Sequence, residues 1–83
     1  MMYHIVCIRD SAAEVFGQPY AVAANGVAVR SFTDEVARGE SPLSKHPEDY
    51  ELYCVGRYDD SVGLLLPCDR PVLLLRGKDA VAK

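Results

Sequence analysis

The alternation of apolar and polar residues is clearest between Tyr50 and Tyr58, and it predicts a β-strand there. Successive side chains in a strand point to opposite sides of a sheet, so one side of this segment is expected to face the core. That side presents Tyr50, Leu52, Cys54, Gly56 and Tyr58. The other side presents Glu51, Tyr53, Val55, Arg57 and Asp59. This second side is unusual, since a strand face that meets water is normally polar throughout.

Four further segments have the composition of strands: Tyr3–Arg9, Tyr20–Ala23, Leu64–Leu66 and Val72–Arg76. The first and last are apolar on both sides, which is typical of strands covered on both faces. The turn at residues 59–63 combines two aspartates with a glycine and predicts a hairpin between its flanking strands.

One helix is predicted, from Asn25 to Arg38. Asn25 is a favourable N-cap, and Gly39 is the type of residue that follows a helix end. Its buried stripe is expected to be Ala28 or Val29, then Phe32 and Val36. On its opposite side a ladder of alternating charge is formed by Arg30, Asp34 and Arg38.

These elements predict a single α+β domain over residues 1–83: a small antiparallel or mixed sheet of four to five strands, with one main helix packed on one face. The tail at residues 77–83 is expected to be frayed or to form a short helical turn. The predicted core is Ile5, Cys7, Phe16, Phe32, Val36, Leu52, Cys54, Leu65 and Leu74.

Composition narrows the function classes. The chain is 49 % hydrophobic and 25 % charged with a net charge of −3, which is typical of a globular protein and unlike a protein that coats duplex DNA. No apolar run approaches the roughly 18–20 residues that cross a bilayer. The N-terminus has no pattern of a signal peptide and is predicted to be a strand.

Candidate chemistry is sparse, and we expect no enzymatic activity, no catalytic residue, no cofactor and no metal site. The three cysteines are widely spaced, and His4 and Cys7 should point to opposite faces of their strand. Asp59 and Asp60 are best explained as turn-formers. His46 with Glu48 or Asp49 could form a local acid–base set, but no nucleophile accompanies it.

One helix can cover only one face of such a sheet, so apolar residues remain on the other face. A monomer seldom exposes a patch of that kind, and we therefore expect a homo-oligomer, a dimer or a multiple of dimers. Its predicted interface includes Tyr3, Tyr53, Val55 and Leu73. Alternatively, aromatic and arginine side chains on that face could stack single-stranded bases.

Three blocks together resemble the small nonstructural proteins of gokushovirus-type microviruses, which are bacteriophages with single-stranded DNA genomes. They are FGQPY (16–20), NGVAVRSFTDEV (25–36) and SKHPEDYELYCVGRYDDSVG (44–63). The resemblance implies an accessory protein of the host cytoplasm that assists DNA replication or packaging through single-stranded DNA, capsid proteins or replication proteins. The alternative is a self-associating interaction module without DNA contact.

If DNA binds, the candidate contacts lie on the helix, beside the His-Pro turn and on the central strand. They are Arg30, Arg38, Lys45, Tyr53 and Arg57.

Overall fold

The computed structural model describes residues 1–38 and 40–81. In chain order the elements are β1 (Met2–Asp10), β2 (Val15–Phe16), β3 (Tyr20–Val22), α1 (Asn25–Arg38), α2 (Pro42–Lys45), a single 3-10 turn (Pro47–Asp49), β4 (Tyr50–Asp59), β5 (Leu64–Arg76) and α3 (Gly77–Val81). The predicted α+β class is confirmed, and α1 has the predicted bounds. Gly39, predicted to follow the helix end, lies outside the described residues, as do residues 82 and 83 of the tail.

The described strands form one antiparallel sheet of five strands in the order β2-β1-β4-β5, with β3 also paired to β1. The prediction of two separate strands after residue 63 is wrong, because Leu64–Arg76 is one strand of 13 residues. Its register with β4 shifts twice, and Cys68 to Pro71 fall between the paired positions. Proline is tolerated at positions 67 and 71 because β5 is an edge strand and Pro71 lies in its irregular part.

The core lies between α1 and the sheet. Ala28, Phe32 and Val36 recur every fourth residue on α1 and are buried, as predicted. They pack with Val6, Leu52, Cys54 and Ala80. Leu74 and Leu75 are both packed against this cluster, because the register shift beside Leu52 places two residues of β5 opposite one of β4.

Cys7 is buried as predicted but is not part of the cluster under α1, and three other predicted core residues are not buried. Ile5 is only half-buried, because the side of β1 that meets the core carries Val6 instead. Phe16 is 42 % exposed because its short strand lies at the sheet edge. Leu65 is 67 % exposed, because it lies near the start of β5 at the hairpin end of the sheet, outside the cluster that α1 covers.

Residues 77–81 of the tail form a docked helix whose Ala80 joins the core. Gly77 permits this docking, because a Cβ there would meet the carbonyl oxygen of Pro47 at 2.0 Å. The start of α3 therefore lies directly against the 3-10 turn. The sequence could not show this contact, since glycine in a tail normally indicates looseness.

A bulge in β4 changes which side chains share a face. Ile5 pairs with Gly56 and Val6 pairs with Cys54, so Val55 is an extra residue in β4. Beyond Val55 the alternation of β4 is reversed relative to a regular strand. A face assignment made by counting in twos is correct before the bulge and wrong after it.

Candidate nucleic-acid interface

The face of the sheet opposite α1 is called here the open face. Leu52 and Cys54 face Phe32, so Tyr53 between them points to the open face. Residues directly opposite in antiparallel strands share a face, which adds Cys7 and Leu73, the two partners of Tyr53. In the described residues α2 and α3 contribute Leu43 and Ala80 to the α1 side, so neither helix accounts for cover on this face.

Five side chains meet on the open face and form what we call the arginine–aromatic cluster: Arg9, Phe16, Glu51, Tyr53 and Arg76. The Glu51 carboxylate lies between two guanidinium groups, 3.8 Å from Arg9 Nη1 and 3.7 Å from Arg76 Nε. Two arginines and one glutamate give the cluster a formal charge of +1, whereas the whole chain carries −3. It is a locally basic site on an acidic protein.

The aromatic half of the cluster is built on the same carboxylate. The Tyr53 hydroxyl donates to Glu51 Oε1 at 3.3 Å. The Phe16 and Tyr53 rings meet edge to face, with centroids 5.3 Å apart and planes at 64°. The Arg9 guanidinium carbon lies 5.6 Å from the centre of the Phe16 ring, within the range of a cation–π contact.

A tight turn between β1 and β2 places Phe16 in the cluster. Asp10 Oδ1 accepts hydrogen bonds from the backbone N–H groups of Ala12 and Ala13 at 3.0 and 3.2 Å. Glu14 adopts a positive φ of 58°, and the chain then returns so that Phe16 pairs with Arg9. Phe16 is thus brought to the open face by a turn that forms because the aspartate side chain bonds the backbone N–H groups ahead of it.

Burial raises the pKa of Tyr53 from its ordinary value, and the charge and hydrogen bond of Glu51 raise it further, while Arg9 and Arg76 oppose the shift. The phenol therefore remains a protonated donor across physiological pH. Burial likewise raises the pKa of the Cys7 thiol on the neighbouring strand. Neither group has the lowered pKa expected of a nucleophile.

The family described as Phage ORF5 protein matches residues 3–80, nearly the whole chain. This chain belongs to the Phage ORF5 protein family. No curated protein and no solved structure matches it. The family match confirms the expected phage protein and carries no narrower assignment.

The five predicted DNA contacts of this ORF5-family protein do not form one site. Arg30 and Arg38 are exposed on α1, and Lys45 ends α2, so three of them lie on helices. Tyr53 lies on the open face. Arg57 pairs with His4, which is three residues from the Tyr53 partner Cys7 in β1 and so faces the other way. The prediction that Tyr53 and Arg57 share one side of the strand is wrong, because the bulge at Val55 turns Arg57 to the other face.

The predicted interface residues are better grouped. Tyr3 lies four residues from Cys7 on β1 and therefore on the same side, and Leu73 pairs with Tyr53. Both residues share the open face with Tyr53. Val55 is the bulged residue and lines a cleft beside Ile5. The three residues that sequence reasoning missed for this face are Arg9, Phe16 and Arg76. They come from distant segments, and only the register of four strands brings them to Glu51.

Two acidic groups have structural explanations. Asp59 Oδ1 accepts from the N–H and hydroxyl of Ser61 at 3.0 and 2.6 Å, and Asp60 pairs with the N-terminal ammonium group, so both act in the turn as predicted. His46, Glu48 and Asp49 place their ligand atoms within 4.8 Å of one another on the 3-10 turn. That proximity follows from the tight turn itself. None of the described helices is long and apolar enough to span a membrane.

Proposed function

We propose that this chain is a non-enzymatic accessory protein of a gokushovirus-type phage that binds single-stranded DNA on the open face during genome replication or packaging in the host cytoplasm. The observation that carries the proposal is the arginine–aromatic cluster. Sheet-type binders of single strands combine aromatic rings, which stack bases of any sequence, with cations that follow the backbone. Both are present here within one group of contacting side chains.

The cluster is suited to binding without sequence preference. The ring of Tyr53 is half-buried and held by Phe16 and Glu51, so little conformational entropy would be lost when a base stacks on it. Each guanidinium has five N–H donors, so Arg9 and Arg76 can contact a phosphate while they stay near Glu51. Arg76 is the more exposed of the two.

The small number of cationic side chains in the cluster limits the affinity for DNA. Two phosphate contacts predict a slope of log K against log salt of about −1.4 for a single strand. The surrounding acidic protein opposes any wider electrostatic contact, so binding should be confined to low and moderate salt. A steep slope of the kind seen in proteins with many phosphate contacts is not expected.

The test is titration of a fluorescently labelled oligonucleotide of mixed sequence at several salt concentrations, with fluorescence anisotropy as the readout. Support requires saturable binding at low salt and the shallow slope given above. The Arg30→Ala variant should bind the oligonucleotide as the wild type does, because Arg30 is an exposed arginine on the opposite side of the molecule. If no oligonucleotide binds at the lowest salt, the proposal fails.

A second candidate is a self-associating scaffold or interaction module that contacts capsid or replication proteins and no DNA. It is supported by the acidic balance and by large exposed apolar side chains at one end of the sheet, Val62, Leu64 and Leu65 among them. The two candidates use different surfaces. The same titration separates them, since an interaction module would leave the oligonucleotide free at every salt concentration.

A further inference from the structure

The β4–β5 hairpin carries an apolar surface that we call the hairpin tip, made of Met1, Val62, Leu64 and Leu65. Each of these side chains is more than half exposed. Tyr58 pairs with both Tyr3 and Leu65, so Leu65 continues the open face beyond the arginine–aromatic cluster. Tyr53 and Tyr58 are five residues apart, about 17 Å along an extended strand. The tip is therefore a surface separate from the cluster.

A cleft of about 360 Å³ lies beside the tip. Its walls are apolar and include Ile5, Val55, Pro67 and Leu65 itself, with Arg57 as the charged residue among its lining. Gly56 lies in the same wall, and a Cβ there would meet the carbonyl oxygen of Leu66 at 2.7 Å. The glycine keeps β4 and β5 close and leaves space above the strands. A protruding leucine and an apolar cleft thus occur side by side.

The chain as a whole is elongated and exposes more surface than a compact monomer of its mass. The chain has 5368 Å² of accessible surface, against about 4,900 Å² for a compact monomer of its mass. Its radius of gyration is 13.0 Å, against about 12 Å for a compact chain of this length, and its extents are 40 × 23 × 18 Å. The excess surface of about 470 Å² is over half of the roughly 800 Å² that each partner buries in a stable interface.

We infer that the hairpin tip and its cleft form a twofold interface with a second copy of this chain, in which Leu65 of each copy enters the cleft of the other. A twofold pair needs one self-complementary surface, and an adjacent projection and cleft supply it. Both surfaces are apolar. The cleft is lined mostly by hydrophobic side chains, and the side chain that would enter it is a leucine that is 67 % exposed.

The interface at the hairpin tip differs from the one predicted from the sequence. Tyr3 and Val55 stay close to it, while Tyr53 and Leu73 are left on the cluster side of the face. The interface therefore leaves the arginine–aromatic cluster accessible. It rests on the second candidate function only for self-association, and it does not depend on whether DNA binds.

The experiment is light scattering coupled to size exclusion at tens of micromolar protein. The wild-type chain should have a mass of about 18 kDa, twice its 9.1 kDa. Leu65→Glu should return the mass to that of the monomer at the same concentration, a loss of at least tenfold in dimer affinity. Val81→Glu is the matched control, because Val81 is 59 % exposed at the end of α3 and should keep the dimer.

A wild-type monomer at this concentration would overturn the inference and leave the tip to a different protein. A Leu65→Glu dimer as stable as wild type, loss of the dimer in both variants, or a wild-type mass above the dimer would also overturn it. A second measurement avoids variants altogether: amide NMR shifts of the wild-type chain on dilution. The signals of Val55 and Leu65 should move with concentration while that of Arg30 stays fixed, and the reverse result would contradict the proposed surface.

Discussion

The two ends of the open face share the same strands and differ in what lies behind them. Behind Tyr53 and Glu51 is Leu52, fully buried under α1. Behind Leu65 are Leu64, more than half exposed, and Leu66, half-buried at the cleft. The cluster end is therefore a layer backed by a packed core, whereas the tip meets solvent on both sides.

This difference indicates what each end can do. A side chain backed by a dense core has few alternative positions, so charged and aromatic groups can be held in one arrangement. An apolar hairpin without backing gains most from being covered, because its burial removes water from both of its sides. The cluster suits recognition of a polar ligand, and the tip suits a protein contact.

The largest expected effect comes from removing what supports the cluster end. Phe32→Ala should lower the free energy of unfolding by about 3–5 kcal/mol, because it empties the centre of the core. The total free energy of unfolding of a chain of this length is roughly 4–12 kcal/mol. Thermal unfolding followed by circular dichroism measures the change, with the more exposed Val27→Ala on the same helix as control. A Phe32→Ala melting temperature equal to that of the control would contradict the assigned core.

The next prediction separates the two ends by function. Tyr53→Ala should weaken single-stranded DNA binding by about 1–3 kcal/mol, roughly 5- to 150-fold, because the stacking surface is lost. Tyr53→Phe keeps the ring and loses only the hydrogen bond to Glu51, so it should bind nearly as wild type. Anisotropy titration measures both variants.

The same variants sharpen the comparison when their masses are measured. Tyr53→Ala should remain a dimer, and Leu65→Glu should bind DNA with the intrinsic affinity of one wild-type site. Two outcomes would show that the two ends are one site: dissociation of the dimer in Tyr53→Ala, or loss of DNA binding in a folded Leu65→Glu monomer.

A smaller effect is expected from the charges. Arg76→Ala removes one phosphate contact and should reduce the magnitude of the salt slope by about 0.7. Arg57→Ala is the matched control, since its pairing with His4 places it on the other face, and it should leave the slope unchanged. Equal reductions in the two variants would mean that DNA follows a path around the sheet and not across the open face.

The sequence predicted the elements well where a period was uninterrupted. The stripe of Ala28, Phe32 and Val36 and the pair Leu52 and Cys54 lie where a simple count places them. Counting failed where β4 gains Val55, because one extra residue reverses every later side chain. Leu65 was assigned to the core on composition alone, and nothing in its neighbourhood tells how far along the sheet α1 reaches.

The candidate site was only partly predictable. Tyr53 was visible as an aromatic residue that stands, with Val55, between charged residues on one strand face, and its position on the open face is confirmed. Arg9 and Arg76 were not found, because nothing local distinguishes an arginine at a strand end from any solvated charge. Phe16 was assigned to the core, since an aromatic residue in a loop usually anchors it. Their meeting depends on non-local register, which a single sequence does not fix.

The smallest effect is a pH dependence confined to the tip. Hydrogen bonds from the Ser61 hydroxyl and backbone lower the pKa of Asp59 from 3.8, so the folded turn favours the carboxylate. This contribution to stability is therefore complete above the unfolded pKa of Asp59 and is lost as the pH falls through the lower folded pKa. Ser61→Ala should therefore lower the melting temperature slightly at pH 6, and the difference from wild type should shrink in acid below pH 3.8. Ser31→Ala on α1 is the control, and a Ser61→Ala deficit that is constant from pH 6 into acid would show that Asp59 does not hold the turn. Because the turn supports only the tip, DNA binding to the cluster should be the same in Ser61→Ala and in wild type.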